Sequence, residues 1–287
     1  MDYRILMDVS GDIIPSFAEE QQIGFLPMEY TIGGENRVLR AMESPEILKK
    51  FYDGQRSGDL TQTTQITPGQ YEEYFETYLK EGFSVLYLSL SSGLSSTFGS
   101  ACLAAENLRE KYPELSVIPI DTLAATGGMG VLTERAARNR NRGMSIEENA
   151  ADLREAVRHI QHQFMVQDLM YLRRGGRISG AEAVLGTALS IRPVMKIDTT
   201  GKLVVIEKKR GNRQAIRALL EEFEKHYDPD TEDVIYIVDG DADETAAALH
   251  DGILENHPDA EIRRMGLSPI IGAHTGPGMA AILYIGK

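Results

Sequence analysis

The 287-residue chain has no tryptophan and one cysteine, Cys102, so it cannot form an internal disulfide. It has no apolar run long enough to cross a membrane and no recognisable leader, so we expect a cytoplasmic protein that touches a membrane surface only transiently. Basic residues are outnumbered by acidic ones, 30 to 43, and the net charge is −13. Nucleic acid is therefore excluded as an expected partner, because phosphate binding needs clustered lysine and arginine.

Several catalytic and cofactor motifs are missing as well. The sequence contains no G-x-x-x-x-G-K-[ST] loop, no G-x-S-x-G elbow and no H-E-x-x-H, and its six histidines are scattered. We therefore expect neither a metal nor a cofactor. A Ser–His–Asp triad is not excluded by residue inventory, so a hydrolase or acyltransferase that uses Ser91 or Ser92 with His274 stays open as an alternative.

The most informative stretch runs from Phe83 to Gly99. An apolar run, Phe83–Leu90, predicts a buried strand, and the hydroxyl-rich segment Ser91–Thr97, which contains Gly93, separates it from a helical pattern. In open α/β sheets, ligands bind at the carboxyl ends of such strands. The turn offers hydroxyls and N–H groups near a helix N-terminus but no basic side chain, which favours a single carboxylate over a polyphosphate.

Two further polar segments have similar chemistry. Leu60–Gly69 is predicted to be a loop rich in hydroxyls and amides, and Thr67 is predicted to cap the helix after it. Gly272–Gly278 is predicted to be a tight glycine loop that presents His274. Hydroxyls and N–H groups hold a carboxylate by charge-assisted hydrogen bonds. An apolar tail of about 14–18 carbons would add roughly 0.8 kcal/mol per buried methylene before ordering costs.

The order of elements predicts two domains. Strands and helices alternate as far as residue 161, which predicts an N-terminal α/β domain over residues 1–161 with a mostly parallel sheet. This part includes a strand predicted over Ile23–Ile32. The remainder, residues 162–287, mixes a hairpin with helices and predicts an α+β domain. A helix in it is predicted from Ser179 or Gly180 to Leu189.

Four motifs in order along nearly the whole chain resemble those of the DegV family. The family comprises fatty-acid-binding proteins that in many bacteria serve as the binding subunit of a fatty acid kinase. The similar segments are Asp8–Asp12, Thr63–Pro68, Leu90–Thr97 and Tyr171–Ile178. The resemblance implies that a long-chain fatty acid lies in a tunnel between the two domains. It also implies a carrier without catalytic residues.

The resemblance further assigns residues to the ligand and to a partner. The implied carboxylate-binding residues are Thr63, Thr64, Ser91, Ser92, Gly93, His274 and Thr275, and only one side chain of each adjacent hydroxyl pair is expected to point inward. The partner kinase would bring ATP and phosphorylate the bound carboxylate to an acyl-phosphate. Arg173, Arg174 or Arg177 is expected to dock this kinase, or else to compensate a helix dipole. An acyl-lipid sensor without a kinase partner remains the other alternative.

Overall fold

The computed structural model of the chain describes residues 2–179 and 190–287. In its first half, strands alternate with helices, with additional strands after β2. These elements are β1 (Tyr3–Asp8), α1 (Pro15–Glu20), β2 (Gly24–Leu26), β3 (Met28–Ile32), β4 (Glu35–Leu39), α2 (Pro45–Arg56), β5 (Thr61–Thr64), α3 (Pro68–Lys80), β6 (Ser84–Ser89), α4 (Thr97–Arg109), β7 (Val117–Asp121), α5 (Gly127–Asn141) and α6 (Ile146–Ala156).

The second half mixes hairpin-connected strands with helices. Its elements are a 3-10 turn (Val157–His159), β8 (Ile160–Met165), α7 (Met170–Arg174), β9 (Ile191–Ile197), β10 (Leu203–Arg210), α8 (Asn212–His226), β11 (Ile235–Asp239), α9 (Asp243–Asn256), β12 (Ile262–Gly266), α10 (Pro269–Thr275) and β13 (Ala280–Ile285). The helix predicted from Ser179 or Gly180 to Leu189 lies, beyond its first residue, outside the described residues.

The strands form a parallel sheet, a mixed sheet and a small antiparallel sheet. The parallel sheet has the order β2-β1-β6-β7 and the mixed sheet the order β10-β9-β8-β13-β11-β12. The small sheet has the order β4-β3-β5. The predicted α/β class, with a mostly parallel N-terminal sheet and an α+β remainder, is confirmed. The boundary between residues 161 and 162 stays a prediction.

The strand predicted over Ile23–Ile32 is in fact two strands in different sheets. Gly24–Leu26 pairs with β1 in the parallel sheet, whereas Met28–Ile32 pairs with β4 and β5. Pro27 separates them, because proline has no N–H to donate to a ladder. The break turns the chain out of the parallel sheet and starts the small antiparallel sheet.

Helix α5 lies between the two larger sheets and joins them into one core. It packs on β1 and β6 on one side and on β8, β11 and β13 on the other. Accordingly, it is buried on nearly all its faces, which its sequence allows because the first turns contain glycine and small residues. The apolar cluster around it runs from Ile5 and Leu88 to Phe164 and Leu283. Helices α8 and α9 cover the opposite face of the mixed sheet.

Candidate functional site

A cavity of about 640 Å³ lies between the carboxyl end of β6, the small antiparallel sheet, α10 and the inner face of the mixed sheet. This volume is within the range of about 300–1,000 Å³ that is usual for small-molecule sites. Its polar wall includes Thr63, Thr64, Ser92, Arg177, His274 and Thr275. Its apolar wall includes Phe164, Ile197, Leu203, Ile270, Ala281 and Leu283.

Thr63 and His274 meet at the polar end of the cavity. Thr63 Oγ1 lies 2.7 Å from Nε2 of His274. The segment Thr61–Thr64, predicted as a loop, is strand β5, because it pairs with β3 through Tyr30↔Thr63 and neighbouring pairs. The alternation of a strand makes Thr63 half-buried and Thr64 exposed, although both line the cavity. Thr63 is thus the hydroxyl of this pair that contacts the histidine.

His274 belongs to the last turn of a helix rather than to the predicted glycine loop. α10 continues to Thr275 and ends at Gly276, whose φ is +73°. Glycine is needed at position 272, because a Cβ there would lie 2.5 Å from the Tyr52 hydroxyl oxygen. The helix therefore packs closely on α2. This glycine is explained by a contact with a distant helix, which a prediction from the local sequence cannot detect. Thr275, also on this helix, donates its hydroxyl to the Ile271 carbonyl at 3.3 Å.

The environment of His274 keeps its ring neutral. Burial, together with the nearby charge of Arg177, lowers the pKa of His274 to about 4. Its Nδ1 has no hydrogen-bond partner among the described residues, and it lies so close to Gly175 that a Cβ there would be 2.2 Å away. A catalytic triad needs a carboxylate on this atom. The described part of the chain therefore lacks the arrangement that the hydrolase alternative requires.

The two adjacent serines after β6 have different surroundings. Ser91 is fully buried; its hydroxyl donates to the Gly201 carbonyl at 2.8 Å and accepts from the Gly93 N–H at 3.1 Å. Ser92 is exposed and lines the cavity, and its N–H donates to Asp121. Ser91 thus links the turn between β9 and β10 to the segment Ser91–Thr97 (the serine turn), while Ser92 lines the cavity.

Asp8 holds the start of this serine turn in place. Its carboxylate accepts from the Leu90 N–H at 3.0 Å and from the Tyr87 hydroxyl at 2.7 Å. The same carboxylate accepts from the Ser10 N–H at 3.1 Å. Through these contacts, Asp8 stabilises the turn at the carboxyl edge of the parallel sheet.

The three arginines predicted to dock a partner occupy two environments. Arg173 and Arg174 are exposed at the end of α7, and the Arg174 guanidinium lies 4.5 Å from the centre of the Tyr171 ring. Arg177 lines the cavity, where it donates to the carbonyls of Leu94, at 3.1 Å, and Gly175. Burial lowers the pKa of Arg177, and no carboxylate of the described residues pairs with it. The described part of the cavity wall therefore contains a cation that bonds backbone carbonyls but no carboxylate.

The apolar wall comes mainly from alternate residues of the mixed sheet. Phe164 of β8 pairs with Ala281 of β13, and Ile197 of β9 pairs with Leu203 of β10. Residues spaced by two share a face, so these side chains line the same side of the sheet. His162 joins them on β8, a residue that sequence reasoning left among the scattered histidines. Its spacing of two from Phe164 was the available signal.

Two negative findings limit the chemistry of the described residues. They contain no group of three or more His, Cys, Asp or Glu side chains placed to hold a metal ion. In residues 2–179 and 190–287, no helix is both long and apolar enough to span a membrane.

Known proteins resemble this chain over its full length. It matches the family described as "Uncharacterised protein, DegV family" over residues 2–287. A DegV domain-containing protein of Clostridium perfringens is 34% identical over 284 residues, which cover 99% of this chain and 97% of that protein. A solved structure from Thermus thermophilus, described as a fatty-acid-binding DegV family protein, is 27% identical, with a TM-score of 0.86 and full coverage of both chains. DegV of Bacillus subtilis, described as a fatty acid binding protein, is also 27% identical, with a TM-score of 0.83 and full coverage of both chains.

Proposed function

The chain belongs to the DegV family, and from that premise we propose that it binds a long-chain fatty acid in this cavity and presents the carboxylate to a partner kinase. The observation that carries the proposal is the asymmetry of the cavity wall. Arg177, His274 and Thr63 lie close together, and apolar side chains of the mixed sheet, among them Phe164, Ile197 and Leu283, line another part of the wall. A carboxylate with an aliphatic tail matches both parts.

The energetics favour this ligand class. A buried carboxylate is costly unless a cation and hydrogen-bond donors offset the loss of water, and Arg177 is a cation with no carboxylate partner in residues 2–179 and 190–287. Each buried methylene contributes about 0.8 kcal/mol, so a chain of about sixteen carbons has roughly 12 kcal/mol available before ordering costs. The tail therefore supplies affinity and the head supplies orientation.

The position of the head group supports the role of a partner kinase. Ser92 and Thr64 are exposed while they line the cavity, so a carboxylate beside them is reachable from outside. Arg173 and Arg174 present positive charge on the neighbouring α7, which suits an acidic docking surface. In the proposed reaction, a carboxylate oxygen attacks the γ-phosphorus of ATP bound by the kinase, ADP leaves, and an acyl-phosphate remains.

Two measurements test the two halves of this proposal. Mass spectrometry of organic extracts from purified protein should recover a long-chain fatty acid, and Arg177→Met should reduce its occupancy. A cognate kinase with ATP should then convert loaded protein to an acyl-phosphate that hydroxylamine traps, and Arg173→Met should slow this step without emptying the cavity. Recovery of no acyl chain, together with no stabilisation by added fatty acid, would overturn the binding proposal. Loaded protein that gives no acyl-phosphate with the kinase would overturn only the kinase proposal.

A further inference from the structure

Asp12 is a buried carboxylate that the proposed function does not use. It ends the segment Asp8–Asp12, and it is fully buried. No basic side chain of the described residues forms an ion pair with it, so burial raises the pKa of Asp12 to about 7 although the carboxylate accepts hydrogen bonds. Groups with strongly shifted pKa values cluster at functional sites, and the neighbours of Asp12 indicate which site it serves.

The two oxygens of Asp12 hold the starts of two helices. Oδ1 accepts from the Ser268 N–H at 3.1 Å, and Oδ2 accepts from the Thr126 hydroxyl. Ser268 is the N-cap residue of α10 and Thr126 is that of α5, and neither side chain caps its own helix. One carboxylate from the segment after β1 therefore fixes both helix starts.

Both helices contribute to the cavity wall. Thr126 itself lines the cavity, and so do four residues of α10, which are Ile270, Ile271, His274 and Thr275. Thr126 has a φ of +48°, a left-handed conformation that is uncommon for a β-branched residue. Such strained backbone persists where its surroundings hold it, and it clusters at ligand sites. Here the hydrogen bond to Asp12 and a bond from the Thr126 N–H to the Ser10 carbonyl, at 2.9 Å, hold the conformation.

Hydrogen bonds connect Asp12 to the turn of α10 that carries His274. The carbonyl of Ser268 accepts from the Gly272 N–H at 2.9 Å, and His274 follows two residues later on the same short helix. The Gln55 side chain donates to the Gly272 carbonyl at 3.0 Å and so holds the middle of the helix. A shift at Ser268 therefore tilts α10 about its middle and moves the His274 ring.

We propose that Asp12 is a positioning residue for the fatty acid head group, because by fixing the start of α10 it places His274 where the ligand carboxylate binds. The inference rests on the proposed function, since it assumes that this carboxylate lies beside His274 and Arg177. Asp12 is not among the residues that line the cavity. Its removal weakens the hold on a charged head group and leaves the apolar wall of the mixed sheet in place.

Competition against a fluorescent fatty acid, with delipidated protein, myristic acid and 1-tetradecanol, tests this role, because the two ligands share a tail and differ in the head group. Asp12→Ala should bind the acid about tenfold more weakly, as expected for a lost hydrogen bond to a carboxylate, and the alcohol within about twofold of the unsubstituted protein. Glu134→Ala is the control. It removes another buried carboxylate, from α5 and outside the cavity wall, and should leave the ratio of the two affinities unchanged.

The outcomes separate the inference from the proposed function. Equal losses of affinity for the acid and the alcohol in Asp12→Ala, or no loss for the acid, overturn the inference, while binding of the acid by the unsubstituted protein upholds the proposed function. Failure of the unsubstituted protein to bind the acid overturns both.

A matched pair of substitutions at Ser268 tests the contact itself and does not depend on the folding of Asp12→Ala. Ser268→Pro removes the N–H that donates to Asp12, and the φ of −65° and ψ of 155° at this position suit a proline that precedes Pro269. Ser268→Ala keeps the N–H and removes only the hydroxyl, which donates to the Val9 carbonyl at 3.3 Å. Affinity for myristic acid should fall about tenfold in Ser268→Pro and no more than about twofold in Ser268→Ala. Equal affinities of the two variants would contradict the role of this contact.

Discussion

Alanine substitution of the neighbouring Ser91 and Ser92 should have different effects, because only the Ser91 hydroxyl is part of the fold. Ser91→Ala removes a donor to Gly201 and an acceptor for the Gly93 N–H. A buried group left unpaired costs about 1–3 kcal/mol, and the half-exposed Gly93 N–H costs less, so we expect a loss of about 2–3 kcal/mol. The entropy of unfolding is about 2.1 cal/mol/K per residue, or roughly 0.6 kcal/mol/K for 287 residues. The melting temperature should therefore fall by about 4 °C.

Ser92→Ala is the matched control. Ser92 is exposed, and its N–H rather than its hydroxyl bonds to Asp121, so its stability should change by less than about 0.5 kcal/mol. Its affinity for a fatty acid should fall about tenfold, as expected for a lost hydrogen bond to a carboxylate. Scanning calorimetry of the delipidated variants and titration with stearic acid measure the two effects. The reasoning is refuted if Ser92→Ala is the variant that melts earlier, or if Ser91→Ala melts like the unsubstituted protein.

Three further substitutions probe the cavity wall. Arg177→Met should weaken fatty acid binding by about 10- to 100-fold through the loss of a charge-assisted hydrogen bond, whereas Arg173→Met should leave binding unchanged in the same titration. Gly175→Ala should also weaken fatty acid binding, because the Cβ of the alanine would displace His274. Gly99→Ala is the control, because no atom lies within 4 Å of a Cβ at that position. Equal affinities of the two variants would contradict the prediction. His162 has a folded pKa of about 4, below its unfolded value of 6.5, so the unfolded chain binds more protons and stability falls as pH drops from 6.5 to 4. His162→Leu lacks this loss, so its free energy of unfolding should rise by about 2–3 kcal/mol relative to that of the unsubstituted protein between pH 7 and pH 4, as measured by denaturant unfolding. The opposite effect of the buried Asp12 is the same in both proteins and cancels in this difference. A difference between the two proteins that does not change with pH would disprove the prediction.

Local signals in the sequence predicted the parts of the fold that local physics controls. Thr67 caps α3 as predicted, in a capping box with Gln70, and Ser145 and Glu148 form the same motif at the start of α6. The buried strand before Ser91 was also predicted correctly, because a continuous apolar run followed by a polar turn depends little on distant residues. These features place hydroxyls at the carboxyl edge of the parallel sheet without any knowledge of tertiary contacts.

Tertiary contacts determine the features of the site that the local sequence does not predict. Ser91 is turned away from the ligand space by Gly201, a residue 110 positions away, and no local pattern separates it from Ser92. Likewise, the loop predicted over Gly272–Gly278 is a loop only from Gly276 onward, because Gly272 allows the helix that ends at Thr275 to pack against Tyr52. Arg177 follows a glycine pair that predicts only the end of a helix, yet Arg177 lines the cavity. In each case the deciding neighbour comes from a distant segment.

The charges at the polar end also define the class of head group. Near neutral pH, His274 is neutral and Arg177 is charged, so the two side chains together supply one positive charge. A carboxylate balances it, because one cation faces one anion in a partly desolvated site. An uncharged lipid would leave the guanidinium without an anionic partner, and a phosphate monoester would bring a second negative charge without a partner among these two residues. The lack of basic residues in the serine turn indicated a monoanion. Arg177, which reaches the cavity from another segment, indicates the same class independently.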